Sequence, residues 1–588
     1  MRRASRRRRQ GAGLVAARIR PIDRDVGWLL ANARAHAAEP QVRVASTFAA
    51  HLVPPRNRSQ VSRWESGQTP VSLPHLEQYE RALGMEPYRL LCAVRLLSEL
   101  RDEPLPEIAP PRNDDWWDET VDLLERCTGR KRLSAAQWTR LSLNLAAEPD
   151  ALVTPSDWER LLHRLITESS MQTGADYLLR EQAAQILARH PRAARGVLAT
   201  IDRVLGEPGS PDYMQATVMS AFLPALHRPA AVDLLLRHAE QPVDEQVRRA
   251  VIEGLHVWES RGFLPDGAVE RVHRLLRETL DDAASASAHR PAAILLHALT
   301  RRGGLLEGLA LPPSHRRMVR RILDDGRSLS DTEQAQLRTE IGERLLARFG
   351  PKTLRDPLVG RILDGATSLV RSDQRGPSMS MFMLIPQGVV LGEVYLSVLR
   401  HARQQEPQRP GHADIIDEAM TILSWVLPAS GLSDLLDIAR DPASSPHHAR
   451  SAWHCLGNGL AEGMAPLVGP VDPALAHEVL TGVVGSARRH LGQAPPSEAD
   501  DGTLARGHSY VLGMVGRVDL LRELRAEALA VQRPAWVAKV DGWLDLPREF
   551  LPVPRYTDTL PLVSRGSDRG AAAAPTPGPS RPAVDAGG

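Results

Sequence analysis

Side chains that could perform covalent or metal chemistry occur in this chain, but their spacings do not assemble a site. His447, His448, His454 and Cys455 cluster without the HExxH spacing that puts two histidines on one helix face, so they read as surface or capping residues. Gly507-His508-Ser509-Tyr510-Val511 lacks the second glycine of a GxSxG elbow and lies among helical patterns, whereas that elbow follows a strand. Gly457-Asn458-Gly459 has no strand before it, and no Walker sequence occurs. The acid pairs Asp114-Asp115 and Asp281-Asp282 read as solvated linker or capping carboxylates. The only cysteines, Cys92, Cys127 and Cys455, form no CxxC pair, which excludes a disulfide scaffold and an all-Cys zinc finger. No catalytic residue, metal site or cofactor is expected, and the chain does not read as an enzyme.

What remains is the chemistry of arginine. Of 73 basic residues only three are Lys, which with abundant Ala and Pro points to a GC-rich genome. Residues 1–95 hold 17 Arg against 7 acids, a net +10, and the rest of the chain is net −8. Six of the first nine residues are Arg, so residues 1–20 read as a disordered basic arm. Such an arm binds phosphates by releasing counterions. A basic front on a mildly acidic body is built to meet a polyanion.

Short helices must position that front. Asp25 can cap a helix carrying Val26, Leu29, Leu30 and Ala33, and Ser46 can cap a second with Phe48, Ala49 and Leu52 inward. Pro54 and Pro55 stop the second helix. Asn57 can cap a third over 58–66, with Val61 and Trp64 inward and Gly67 as its stop. Ser72-Leu73-Pro74 opens a fourth, with Leu76, Tyr79 and Leu83 on one face and Gly84 beyond its end. Leu90, Leu91, Val94 and Leu97 mark a fifth, which closes or dimerises the unit. Four short helices with a tight break between the second and third follow the helix-turn-helix plan.

The string Asn57-Arg58-Ser59-Gln60-Val61-Ser62-Arg63-Trp64-Glu65-Ser66-Gly67 resembles the recognition-helix segment of bacterial XRE/Cro-type helix-turn-helix regulators. Pro70, Leu76, Tyr79-Glu80 and Ala82-Leu83-Gly84 resemble that family's fourth helix. The resemblance covers about 65 residues. The chain departs from the pattern in two places: Pro54-Pro55 lengthens the turn, with Val53 in place of the usual Gly, and Ala45-Ser46-Thr47 replaces the Gln that commonly opens the second helix. The resemblance implies that segment 57–66 enters the major groove. Arg58, Ser59, Gln60, Ser62 and Arg63 are then the exposed readers. Gln60 suits adenine, and Arg58 and Arg63 suit guanine. Ser46, Thr47 and Asn57 suit phosphates, which position without specifying sequence. It also implies an ion pair between Arg34 and Glu65.

Residues 101–114, with four prolines between 102 and 113, read as a linker. Helical patterns then fill 115–565. Leu179-Arg180-Glu181-Gln182-Ala183-Ala184, Asp244 through Val251, and Ala449-Arg450-Ser451-Ala452 recur with similar wording, as in degenerate HEAT-like repeats of an α-solenoid; the alternative is an irregular helical array. The Met-rich run Met379 to Pro386 reads as a packed connector more readily than as a binding surface. Residues 566–588 read as a disordered tail.

The fold expected is therefore all-α: a helix-turn-helix domain over 21–100 and a helical sensor or interaction region over 115–565. The function expected is a sequence-specific DNA-binding transcriptional regulator; an interaction scaffold with a degenerate helix-turn-helix is the alternative. Its partners would be double-stranded DNA, a second copy of the chain wherever the operator is two-fold symmetric, and a protein or small molecule on the helical region. The short apolar patch Gly11–Ala17 is interrupted by Arg18 before it reaches signal-peptide length, and the longest uncharged stretch, 376–392, contains Ser, Gln and Pro386. A cytoplasmic, nucleoid-associated protein without a membrane partner is expected.

Overall fold

The structure, a computed structural model, describes residues 19–103, 115–129, 131–151, 153–207, 212–223, 226, 229–300, 319–320, 322–324, 331–350, 357–367, 372–404, 412–461, 471–493 and 498–556. Most of the basic arm, the Pro-rich core of the linker and the tail 566–588 lie outside the described residues. The fold is all-α, with no strand among the described residues.

Five helices come first: α1 Pro21–Ala35, α2 Ala45–His51, α3 Arg58–Glu65, α4 Leu73–Ala82 and α5 Arg89–Arg101. Pro21 sits in the first turn of α1, where its missing N–H costs nothing. Asp25 is therefore inside α1, not at its cap, and is buried. Its carboxylate receives Arg101 Nη2 at 2.8 Å and Arg361 Nη1 at 3.1 Å, so it is an ion-pair anchor. Ser46 likewise stands within the first turn of α2; Val44 holds the cap position without a side-chain bond. Asn57 does cap α3, and Gly67 and Gly84 take the left-handed conformation that ends α3 and α4.

The array begins with α6 Trp116–Thr128, α7 Ala135–Ala146, α8 Pro155–Ser170 and α9 Gly174–Ala188. Several of its helix starts share one device, a capping side chain followed by a tolerant first turn. Ser134 and Gln137 form a reciprocal capping box, Thr154 precedes Pro155, and Asp244 accepts Gln246 N at 2.9 Å. Neighbouring helices pack in succession, as α7 on α9, α8 on α9, and Pro446–Leu460 on Glu498–Met514.

Two apolar cores result. One holds residues between 123 and 323. The other begins at Ile22, runs through Leu100, and continues mainly into residues 337–551. The first five helices thus share their core with the far half of the chain. Distant segments also close on one another. Asp244 receives Lys539 Nζ at 2.6 Å and Arg506 Nη2 at 3.3 Å, and the Arg164 guanidinium lies 5.0 Å over the Phe550 ring. Arg375 reaches the buried Glu418 carboxylate at 2.8 Å, and Arg290 joins it from the other side.

The Met-rich run lies in the helix Ser372–Leu384 and the turn after it. Met379, Met381, Phe382, Met383 and Leu384 are buried, and the helix packs on α5, α9 and the helix Glu245–Ser260. It is a core element. No single helix among the described residues is long and apolar enough to cross a membrane.

Candidate nucleic-acid interface

The geometry around α3 is set from its buried side. Val61 and Trp64 face inward; Trp64 lies 6.2 Å from the Tyr79 ring, and Phe48 of α2 lies 4.7 Å from Tyr79. Those three rings fix α2, α3 and α4 against one another. The backbones of α1 and α3 meet directly. A Cβ on Gly27 would stand 2.7 Å from both Glu65 O and Gly67 N, and one on Gly67 2.5 Å from Asp23 O. Only glycine at both positions allows this approach, and Gly67 also has φ +70°.

Charge fastens the same joint. Arg34 donates Nε to Glu65 Oε1 at 2.6 Å and Nη2 to Oε2 at 2.7 Å, a bidentate pair. Arg34 Nη1 also donates to the Arg43 carbonyl, and Tyr79 Oη donates to Glu65 Oε1 at 3.4 Å. The hydrogen bond to Glu65 raises the Arg34 pKa further. Burial, with the Glu65 carboxylate next, pushes the Tyr79 phenol up. Glu65 is therefore a positioning residue.

The outer side of α3 is open. Arg58, Ser59, Ser62 and Arg63 are exposed, and among the described residues neither arginine side chain is tied to another group. Asn57 is exposed at the cap; its Oδ1 accepts Gln60 N at 2.8 Å and Ser59 Oγ at 2.7 Å. Gln60 is half-buried, and its Oε1 accepts Asn57 N at 3.2 Å, closing a capping box. A bidentate contact of Gln60 to adenine would ask the same Oε1 to accept a second hydrogen bond or to leave the cap. On α2, Ser46 is exposed and Thr47 half-buried, with the Thr47 carbonyl 2.8 Å from His51 Nδ1. The turn between α2 and α3 is held by Arg56 N donating to Ala49 O at 2.8 Å, across a cis Val53–Pro54 bond, with the Val53 side chain exposed. His51 and Arg56, at either end of this turn, add two polar groups that the sequence did not single out, because neither falls in a periodic pattern.

The unit does not hang free. Asn32 and Gln387 exchange carboxamide hydrogen bonds at 3.1 and 2.8 Å, and His36 meets Phe349 edge-on at 5.1 Å. With Asp25–Arg361 these contacts hold α1 on the far half of the array, while α5 lies against Ser372–Leu384 and α9. These inward contacts leave the outer residues of α3 exposed.

The His/Cys cluster weighed for chemistry is taken up by ion pairs and packing. His447 and His448 approach Asp417 at 3.3 and 3.2 Å, His454 stacks on Tyr510 at 4.3 Å, and Cys455 is buried. No group of three or more His, Cys, Asp or Glu residues that could hold a metal ion occurs among the described residues. The chain matches no family model, no curated protein and no solved structure.

Proposed function

We propose that the chain is a sequence-specific DNA-binding transcriptional regulator of the XRE/Cro helix-turn-helix kind, with α3 as the reading helix and the helical array as its input module. The observation that carries this reading is the division of α3. One face is locked by Trp64, Glu65 and the Gly27–Gly67 contact, and the opposite face offers two hydroxyls and two arginines that are unpaired among the described residues. Arg58 and Arg63 suit guanine O6 and N7, Ser59 and Ser62 suit either base edges or phosphate, and Asn57, Ser46 and Thr47 suit phosphate. A homodimer would read two half-sites one helical turn apart.

Selection of random duplexes by the purified full chain tests this. The expected result is a recurring sequence, relaxed at one position in Arg63→Ala at a cost of about 1–3 kcal/mol. Recovery of duplexes without any shared sequence would count against it. A second reading, a protein-interaction scaffold, draws support from Gln60, whose carboxamide is engaged at the cap. It expects no sequence preference from the same selection.

A further inference from the structure

The first helix of the array keeps one face open. α6 buries Thr120, Leu123 and Cys127, and packs on α7 and α8. On its flank Glu119 receives Arg140 Nε at 3.0 Å. At about 3.6 residues per turn, the face turned away from these contacts carries Trp117, Val121, Glu125, Asp118 and Asp122 in angular order. All five are exposed, Trp117 at 41% and Val121 at 37%. An apolar pair is thus edged by three carboxylates. Asp122 has Arg126 of the same helix at 3.7 Å; Asp118 and Glu125 form no ion pair among the described residues.

The chain carries the complement of this face. Residues 115–125 hold five acids and no base, and residues 1–20 hold eight Arg and no acid. Both segments depart from one place in the fold. Asp25 of α1 receives Arg101 Nη2 at 2.8 Å, so α1 begins beside the end of α5. From Arg101 the chain reaches Trp116 in 15 residues, which bounds their separation to about 50 Å. Arg2 to Arg9 stand 19 to 12 residues ahead of Pro21, a span of up to about 65 Å, so the arm is long enough to reach α6.

We propose that the arginines of the arm dock in cis on the outer face of α6, an autoinhibitory contact that a polyanion must displace. A guanidinium can stack on the Trp117 indole while its N–H groups bond a neighbouring carboxylate. Val121 takes the aliphatic stems. Tethering holds the arm at an effective concentration on the order of millimolar, so it outcompetes an untethered basic partner of equal affinity. The contact rests on the arm and α6 alone and stands whatever α3 binds.

Hydroxyl-radical footprinting of the full chain at low salt, read by mass spectrometry at Trp117, tests it. Wild type is compared with Arg6→Gln/Arg7→Gln/Arg8→Gln/Arg9→Gln, with Phe263, 40% exposed, as the reference ring. Trp117 is oxidised severalfold more slowly in wild type, while Phe263 reacts equally in both. The difference disappears at about 0.5 M salt, where screening is short-ranged, and on addition of a random-sequence duplex. A second measurement removes the acids. Asp118→Asn/Asp122→Asn/Glu125→Gln tightens binding of that duplex severalfold, and does not do so when the four arm arginines are also Gln. Equal oxidation of Trp117 in wild type and the arm variant overturns the proposal. So does protection that grows with protein concentration, which would put a second copy's arm on α6, or duplex binding that the acid substitutions change equally with and without the arm arginines.

Discussion

Glu65 binds three helices through one carboxylate: it ends α3, takes the Arg34 fork from α1 and receives the Tyr79 hydroxyl from α4. The Arg34 and Glu65 side chains are only 13% and 11% exposed, so removing one partner leaves an enclosed charge unanswered. Glu65→Leu is expected to cost about 3–5 kcal/mol. Arg34→Met/Glu65→Leu together should recover most of that loss, as a urea-unfolding double-mutant cycle would record. Equal and additive losses in the two single variants would contradict the pairing. Asn57 as a cap and Val61 and Trp64 as core were legible from residue type and spacing. Gln60 was legible only in part: its position after Asn57 fits a reader and a capping-box partner equally well, and sequence alone gives no way to choose. Asp25 showed the limit of local rules. A carboxylate near a helix start reads as a cap, but its partners Arg101 and Arg361 lie 76 and 336 residues away.

At the scale of elements, α3 is aimed by contact between backbones. Gly27 and Gly67 let α1 and the end of α3 touch with no side chain between them. Gly27→Ala would place a methyl 2.7–2.8 Å from three backbone atoms, so the helices must part. The expected outcome is destabilisation by about 1–3 kcal/mol from overpacking, together with weakened binding of any selected duplex even where the protein stays folded. Binding unchanged in folded Gly27→Ala would show that the α1–α3 spacing does not aim α3. The helices of the front unit and a few of the array, such as the one capped by Thr154-Pro155, were legible from apolar spacing and caps, because both signals lie within one or two turns. Their mutual packing was not. The Met-rich run has the composition of a surface or a connector, and only the fold puts it against α5 and Glu245–Ser260.

At the scale of the molecule, the first five helices and residues 337–551 share one core, so the α3 unit cannot turn without disturbing the array. The array also carries buried histidines that must stay neutral. His508 is fully buried and donates Nδ1–H to Leu504 O at 2.6 Å, between Trp453 and Trp536. Burial pushes its pKa down to about 3, with the Leu504 carbonyl opposing. A histidine with a lowered folded pKa contributes stability above its unfolded value of about 6.5 and loses it as the pH falls toward 3. The stability advantage of wild type over His508→Asn should therefore shrink by about 2 kcal/mol between pH 7.5 and 5.0, measured by urea unfolding. An advantage that does not change with pH would mean His508 accepts a proton without loss. The measurement that bears most directly on the central claim is genome-wide occupancy of the intact protein at fixed salt, against Arg58→Ala/Arg63→Ala. Discrete sites with a shared sequence, lost in the double variant while its melting temperature holds, are the predicted result. Diffuse occupancy, or discrete sites that survive both substitutions, would contradict a reading helix at α3.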